Sequence, residues 1–380
     1  MFVFVAKLKI KSSLVEIPMN KINRLYYKRC LSLGLNPVFF EKHKAGFYIT
    51  LGHQYYYFNH GFTPFNDMAS VTTCINKCYL NRILKAAQVP VPKAIAITRE
   101  DYRKNKWDLE NITFPVVAKP TYASSCGRNV VCNIKNRTDL IQYLDKFFLS
   151  HTCVSIEEFH SGLKSYRILV FQDKIIGLIE RTPAHVLGDG VKSIRELIHE
   201  KNILRKKLKK SVPTGNIDTR QETKTIFEEL GIDYDYVPAK DEHIPLRYIC
   251  NATQGGTFKS LDVQTICPEN WDLAVRTARI LNLNLAGLDL ICEDISIPIE
   301  NSKGFIIEAN VDPDITIHEN ALEGPRVLAS KIMIQSLIRK HFISYLLDYF
   351  KKHHFLSVLL KTSCACTLVF ACLWGLRLYA

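Results

Sequence analysis

The sequence predicts an α+β fold with two principal lobes, a small N-terminal lobe ahead of them and an apolar C-terminal tail behind. Three observations carry this prediction. Between about 113 and 182, short apolar runs of strand length recur: "FPVVAKP", "NVVCNI", "CVSIEEF", "SYRILVF" and "KIIGLIER". Segments with helical spacing lie on either side, among them "SVTTCINKCYLNRILKAA" and "NWDLAVRTARILNLNLAG". Finally, 380 residues, 47% hydrophobic and 23% charged, are enough to build two or three lobes with real cores.

In chain order, residues 1–68 alternate apolar runs with turn signals and predict a small α/β or β-rich lobe. Ser70 to Ala87 then reads as one helix, apolar at Ile75, Cys78, Tyr79, Ile83 and Leu84 and capped by Ser70 or Thr72. The prolines of "QVPVPKAIAIT" end it and a strand follows. After the strand-rich block, "GDGVKSIRELIHEKN" is a turn and a helix, and 208–221 is a polar insert. "TKTIFEELGIDYDYVP" is a short helix closed by Gly231. "LAGLDLICEDI" and "GFIIEANV" are two apolar strands joined by a short connection, and a last helix spans about 325–340.

The formal net charge of +13 favours anionic partners. Part of it is local: "KNILRKKLKK", 201–210, reads first as a solvated helix face. The 12 cysteines mostly sit in apolar runs, where a thiol behaves as a small hydrophobe, and no cleavable signal is expected at Met1. Reduced thiols and a cytoplasmic body are therefore expected. The tail "FLSVLLKTSCACTLVFACLWGL", Phe355 to Leu376, approaches the length of a membrane span. It reads equally as a span behind the basic "KKHH" or as apolar helix packed on the body.

The chemistry concentrates at two places. An antiparallel pairing of "LAGLDLICEDI" with "GFIIEANV" brings Asp289 beside Glu308 and Asn310, which share a strand face. Two carboxylates and an amide oxygen form a hard-oxygen set suited to magnesium. Upstream, Lys119 ends an apolar strand and precedes a loop of small residues, among them Ala123, Ser124, Ser125 and Gly127. Loop amides and a lysine charge suit phosphate. "VSIEEFHSG" then offers a strand edge to an adenine.

These pieces occur in an order that resembles the ATP-grasp superfamily, in the carboxylate–amine ligase branch that includes cyanophycin synthetase and the ATP-grasp domain of bifunctional glutathione synthetase. The residues that carry it are "NKCYLNRILKAAQVPVP", "FPVVAKP", "VSIEEFHSGLKSYRILVF", "IERTPAHVLGDGVKSIRELI", "YICNATQGGT", "GLDLICED" and "GFIIEANVDPDITIHENALEGPR". The resemblance covers about 65–335 and, more faintly, the N-terminal lobe. No Mur-like second ATPase or glutamate–cysteine ligase half is expected beside it. It implies an ATP-grasp fold with the nucleotide held between two α+β lobes. The boundaries that follow are a lobe at 1–68, an ATP-grasp domain at 69–340 and the tail at 341–380. Within the domain, about 113–182 binds ATP and 183–340 carries metal and substrate.

The resemblance also implies an ADP-forming carboxylate–amine ligase that uses ATP and Mg2+, with Mn2+ able to substitute, and works through an acyl phosphate. Lys119 is then expected on the phosphates under a mobile loop, Thr121 to Arg128, that includes Ser124, Ser125 and Gly127. Glu157, Glu158 and Phe159 form the adenine hinge, and Asp289, Glu308 and Asn310 hold the magnesium ions. Arg181 and Arg247 are the catalytic cations. Arg167 and His185 stand on the substrate side or in packing, and "NATQGGT" with Asn251, Gly255 and Gly256 is a substrate loop. Two positions depart from the family pattern. Ser165 stands where an acid meets the ribose, and Asp314 follows Pro313 where the family has glycine. The partners implied are amino acids or peptides; nucleic acid is not expected, and membrane contact through the tail or a homo-oligomer stays open. A degenerate nucleotide-binding scaffold is the alternative reading.

Overall fold

A computed structural model describes residues 19–40, 46–109, 112–122, 129–208, 214–219 and 221–352, with isolated positions 358, 362–363, 365–367 and 369. The chain divides into two compact units, residues 1–63 with 330–380, and residues 64–329. This division differs from the expected boundaries at 68 and 340, because the C-terminal helices pack on the N-terminal lobe.

The first unit opens with helix α1 (Lys21–Ser32), capped by the Asn20 side chain. Strands β1 (Val38–Phe39), β2 (Phe47–Leu51) and β3 (Gln54–Phe58) follow as an antiparallel sheet. Alternation in β2 and β3 turns Phe47, Ile49, Leu51, Tyr56 and Phe58 inward, and the Phe47 and Phe58 rings stack 4.8 Å apart.

The second unit begins with α2 (Met68–Ile75) and α3 (Lys77–Ala86). One helix was expected here; the break falls at Asn76. This residue is extended and buried, and its side chain accepts from the amides of Cys78 and Tyr79 at 3.0 and 3.1 Å. Asp67, rather than Ser70 or Thr72, caps α2. Next come β4 (Ala94–Thr98), α4 (Arg99–Arg103), β5 (Val116–Pro120), β6 (Val131–Ile134), α5 (Arg137–Phe147) and β7 (Cys153–Glu158). They form a four-stranded antiparallel sheet, order β4-β7-β5-β6, over a core of Ile97, Val116, Leu140, Leu144 and Ile156.

Two long strands, β8 (Lys164–Phe171) and β9 (Lys174–Thr182), lead to β10 (His185–Leu187), α6 (Ile194–Leu208), α7 (Gln221–Leu230) and β11 (His243–Pro245). The last four make a small subdomain around Val186, Ile194, Ile226, Phe227 and Ile244. Strand β12 (Thr257–Leu261), α8 (Pro268–Ile280), β13 (Leu285–Cys292), β14 (Gly304–Asn310) and the short α9 (Thr316–Glu319) complete the unit. A five-stranded sheet, order β12-β9-β8-β13-β14, packs α8 and α3 on one face through Tyr166, Ile168, Leu178, Leu273, Leu288 and Leu84. The other face mixes buried apolar residues, Leu169 and Ile179 among them, with a polar patch of Ser165, Arg167, Arg181 and Asp289.

The chain re-enters the first unit with α10 (Ala329–Lys340) and α11 (Phe342–Lys352). The expected start near 325 moves to Ala329. Among the described residues no helix is long and apolar enough to cross a membrane. Most of the apolar run Phe355 to Leu376 lies outside the described residues.

The net charge is divided very unequally. Residues 64–329 hold 34 Lys or Arg and 34 Asp or Glu, so the excess belongs wholly to the first unit.

Candidate functional site

The polar patch of the five-stranded sheet is set by register. Arg167 on β8 stands opposite Asp289 on β13, and Asp289 opposite Glu308 on β14. One pleat along, Ser165 pairs with Arg181 of β9; on the other side, Gly287 pairs with Asn310. Residues two apart share a face, so these side chains all rise from one surface. A side chain at Gly287 would crowd Pro313 and the Arg167 side chain, so glycine leaves the arginine its path to Asp289.

Asp289 is buried and doubly paired. Arg167 donates through Nε to Oδ1 and, at 3.1 Å, through Nη2 to Oδ2, and Arg181 Nη2 lies 3.1 Å from the same Oδ2. Burial alone would raise its pKa, but Arg167 and then Arg181 outweigh burial and hold it below the ordinary carboxylate value. Glu308 meets Lys77 Nζ at 2.5 Å. Asn310 donates to the Gly287 carbonyl at 3.2 Å, which leaves its side-chain oxygen as an acceptor. Two carboxylates and this amide oxygen are the donor types a hard divalent cation takes, and here cations already occupy the carboxylates: Arg167 and Arg181 on Asp289, Lys77 on Glu308. No group of three or more His, Cys, Asp or Glu that could hold a metal exists among the described residues.

The four-stranded sheet supplies Lys119. It pairs in register with Ser155, and its Nζ lies 2.7 Å from Glu157 Oε2, both side chains being nearly buried. Ser155 Oγ donates to the other Glu157 oxygen at 2.9 Å. Burial would lower the Lys119 pKa, but Glu157, and after it Glu308, raise it overall. Lys119 therefore stands in the field of a carboxylate from the other sheet. Glu158 accepts from the Thr113 amide at 3.2 Å, and the amides of Glu158 and Phe159 donate to the carbonyls of Lys93 and Pro115. The expected hinge thus has these two donors already engaged. Ser124, Ser125 and Gly127 lie outside the described residues.

Arg247 pairs with Glu222 through Nε and donates to Gln254 Oε1 at 2.9 Å. Its Nη1, like Nε of Arg181, is buried without a hydrogen-bond partner among the described residues. Two thiols show that the cations converge. Cys132 feels Glu222, Lys119, Arg247 and Cys250; Cys250 feels Arg181, Ser165, Asp289 and Glu222; and burial raises both thiol pKa values. Lys119 and Arg247 thus act on one thiol and Arg181 on the next, with Glu222 acting on both.

The remaining expected residues are held by local contacts. His185 sits in the small subdomain, stacked on His243 at 4.5 Å, with Nδ1 2.9 Å from the Pro183 carbonyl. The charges acting on it are Lys201, His243 and Arg205, none from the Asp289 cluster. Asn251 accepts from Thr253 N and Oγ1 and starts the 3-10 turn Ala252–Gln254. Gly255 has φ +101°, and a side chain there would meet Ile217 and Ala184. Gly256 packs against the carbonyls of Asn251 and Thr182. Of this loop it is Gln254 that reaches Arg247. Ser165 accepts from Arg181 Nη2 at 2.9 Å. Asp314 accepts from the Thr316 amide at 2.9 Å and from its hydroxyl, beside the start of α9.

Sequence reasoning missed Lys77, Glu222, Gln254, Cys132 and Cys250. Lys77 had a signal: it follows Asn76, a capping residue inside a stretch read as continuous helix. Its amide donates to the Thr121 carbonyl at 3.2 Å, which fixes the corner from which its side chain reaches Glu308.

The two sheets build an ATP-grasp fold. The crystal structure of a bifunctional glutathione synthetase from Pasteurella multocida matches with TM-score 0.58 at 24% identity, over 85% of this chain and 44% of that one. Within that fold the chain resembles the carboxylate–amine ligases. It is 32% identical over 264 residues to a cyanophycin synthetase of Synechocystis sp., covering 66% of this chain and 29% of the relative. A cyanophycin synthetase of Trichormus variabilis is 31% identical over 288 residues, covering 71% and 30%. A glutathione biosynthesis bifunctional protein of Desulfotalea psychrophila is 30% identical over 264 residues, covering 67% and 33%. The chain thus spans only 29 to 33% of the length of these curated relatives. No protein-family model matches it.

Proposed function

We propose that the chain is an ATP-dependent, ADP-forming carboxylate–amine ligase acting on amino acids or peptides. The observation that carries the reading is the register across β8, β13 and β14. It sets Asp289, Glu308 and Asn310 on one face, with Lys119 in the field of Glu308.

In this reading, Asp289, Glu308 and Asn310 hold Mg2+, which neutralises phosphate charge when bound. Lys119, Arg181 and Arg247 hold the triphosphate oxygens and stabilise charge as the phosphoryl group passes to the substrate carboxylate. The unpartnered nitrogens of Arg181 and Arg247 support this role, since a buried guanidinium N–H is costly without an acceptor. The acyl phosphate so formed is taken by the amine, and phosphate leaves. Glu157 and Ser155 position Lys119, and Arg167 fixes Asp289 while Arg181 turns its free Nε to the site. All cysteines among the described residues are free, which suits a reducing, cytoplasmic setting.

A nucleotide-binding scaffold without ligase activity is the second reading, favoured by Ser165, whose hydroxyl is already engaged by Arg181. ADP release across a panel of amino-acid pairs, with mass spectrometry of products, separates the two. Amino-acid-dependent ADP release that Glu308→Gln abolishes supports the ligase. ATP binding with no turnover on any pair supports the scaffold.

A further inference from the structure

The first unit holds 16 Lys or Arg against 3 Asp or Glu, the whole formal excess of +13. It also carries α11, one side of which is spoken for. Tyr345 OH donates to the Leu33 carbonyl at 2.8 Å, and Lys352 Nζ donates to the Gly34 carbonyl at 2.8 Å and to Asn36 Oδ1 at 2.6 Å. The Tyr349 ring lies close to Gly34.

At 100° per residue, Phe342, Ile343, Leu346, Leu347 and Phe350 fall in one stripe, a sector of about 140° that begins beside Tyr349, with Leu346 and Phe350 half-buried. No residue of the helix is buried, and Phe342, Ile343 and Leu347 are 54%, 74% and 56% exposed. Arg339 and Lys340 precede this stripe and Lys351 borders it. An apolar helix face bordered by cations is the pattern of a helix lying in a lipid interface. The sequence beyond it, Phe355 to Leu376, is itself nearly all apolar.

We propose that α11 docks on an anionic bilayer, with its Phe342, Ile343, Leu346, Leu347 and Phe350 stripe among the acyl chains and the basic residues of this unit against the headgroups. Charge selects this occupant. A second copy would bring one strongly cationic unit against another, whereas anionic lipid complements it.

The test uses the full chain and vesicles of phosphatidylcholine, with or without phosphatidylglycerol, read by flotation. Binding to the anionic vesicles is expected, weaker by about tenfold on phosphatidylcholine alone and again at about 0.5 M salt. Ile343→Glu/Leu347→Glu is expected to lose about tenfold or more of that binding. Its circular dichroism and Tm should be unchanged, because neither side chain is buried. Arg339→Gln/Lys340→Gln/Lys351→Gln, which leaves the apolar stripe intact, should flatten the salt dependence. Three results overturn the proposal. One is equal binding of both vesicle types by the native chain and by Ile343→Glu/Leu347→Glu, which would assign attachment to the tail alone. The second is no vesicle binding at all. The third is a dimer that Ile343→Glu/Leu347→Glu dissociates without any vesicle binding, which would make a second copy the occupant.

Discussion

Replacing Lys119 with methionine tests the site and the fold together. Its ammonium lies 2.7 Å from Glu157, and the two side chains are 12% and 7% exposed. At an effective dielectric of about 20, charges at that distance attract by about 6 kcal/mol, most of it offset by the cost of burying both. Lys119→Met leaves the Glu157 carboxylate buried with the Ser155 hydroxyl as its remaining side-chain donor. Stranding one member of such a pair costs about 3 kcal/mol, roughly 8 °C in Tm for a unit of this size. Lys119→Met/Glu157→Gln removes both charges and is expected to recover all but about 1 kcal/mol. Both variants should lose amino-acid-dependent ADP release by at least about 100-fold. Urea unfolding beside an ADP-release assay reads both effects. Equal destabilisation in the two variants would refute the buried-pair argument, and retained turnover in either would remove Lys119 from the phosphate site.

Three further outcomes are expected. Arg181→Met should reduce ADP release by about 100-fold with little change in unfolding midpoint, because Asp289 keeps both contacts to Arg167. Gly255→Ala should cost about 2 kcal/mol in urea unfolding, from its positive φ and its crowding by Ile217 and Ala184. His318 is buried without a partner for either nitrogen among the described residues, and burial lowers its pKa from 6.5 to about 3. The unfolded chain therefore binds this proton first, so stability falls as pH drops from 6.5 towards 3, by on the order of a few kcal/mol in all. His318→Leu should flatten that decline in pH-dependent unfolding, while a curve unchanged from the native one would exclude His318 as its source.

The metal-type cluster was legible because strand alternation and one short connection are enough to fix it. "LAGLDLICEDI" and "GFIIEANV" pair antiparallel, with Asp289 opposite Glu308. What was not legible depends on contacts distant in sequence. Nothing near Asp289 announces that Arg167 and Arg181 will pin it, since both lie more than a hundred positions away on strands whose order is decided by packing. The helix break at Asn76 was hidden because 68–86 keeps helical spacing across it; the asparagine's cap bonds and burial override the period. For His185 motif position left the substrate side and packing open, and the β10–β11 pairing sets it in the small subdomain, stacked on His243. The net charge was read as favouring anionic partners, but residues 64–329 are formally neutral, so the excess says nothing of the substrate of that unit.

The corner at Asn76 makes a mechanical joint. One bond ties the Lys77 backbone to Thr121 at the end of β5, and the Lys77 side chain pairs with Glu308 near the end of β14. Lys77 is thus a single-residue bridge between the strand that carries Lys119 and the strand that carries Glu308.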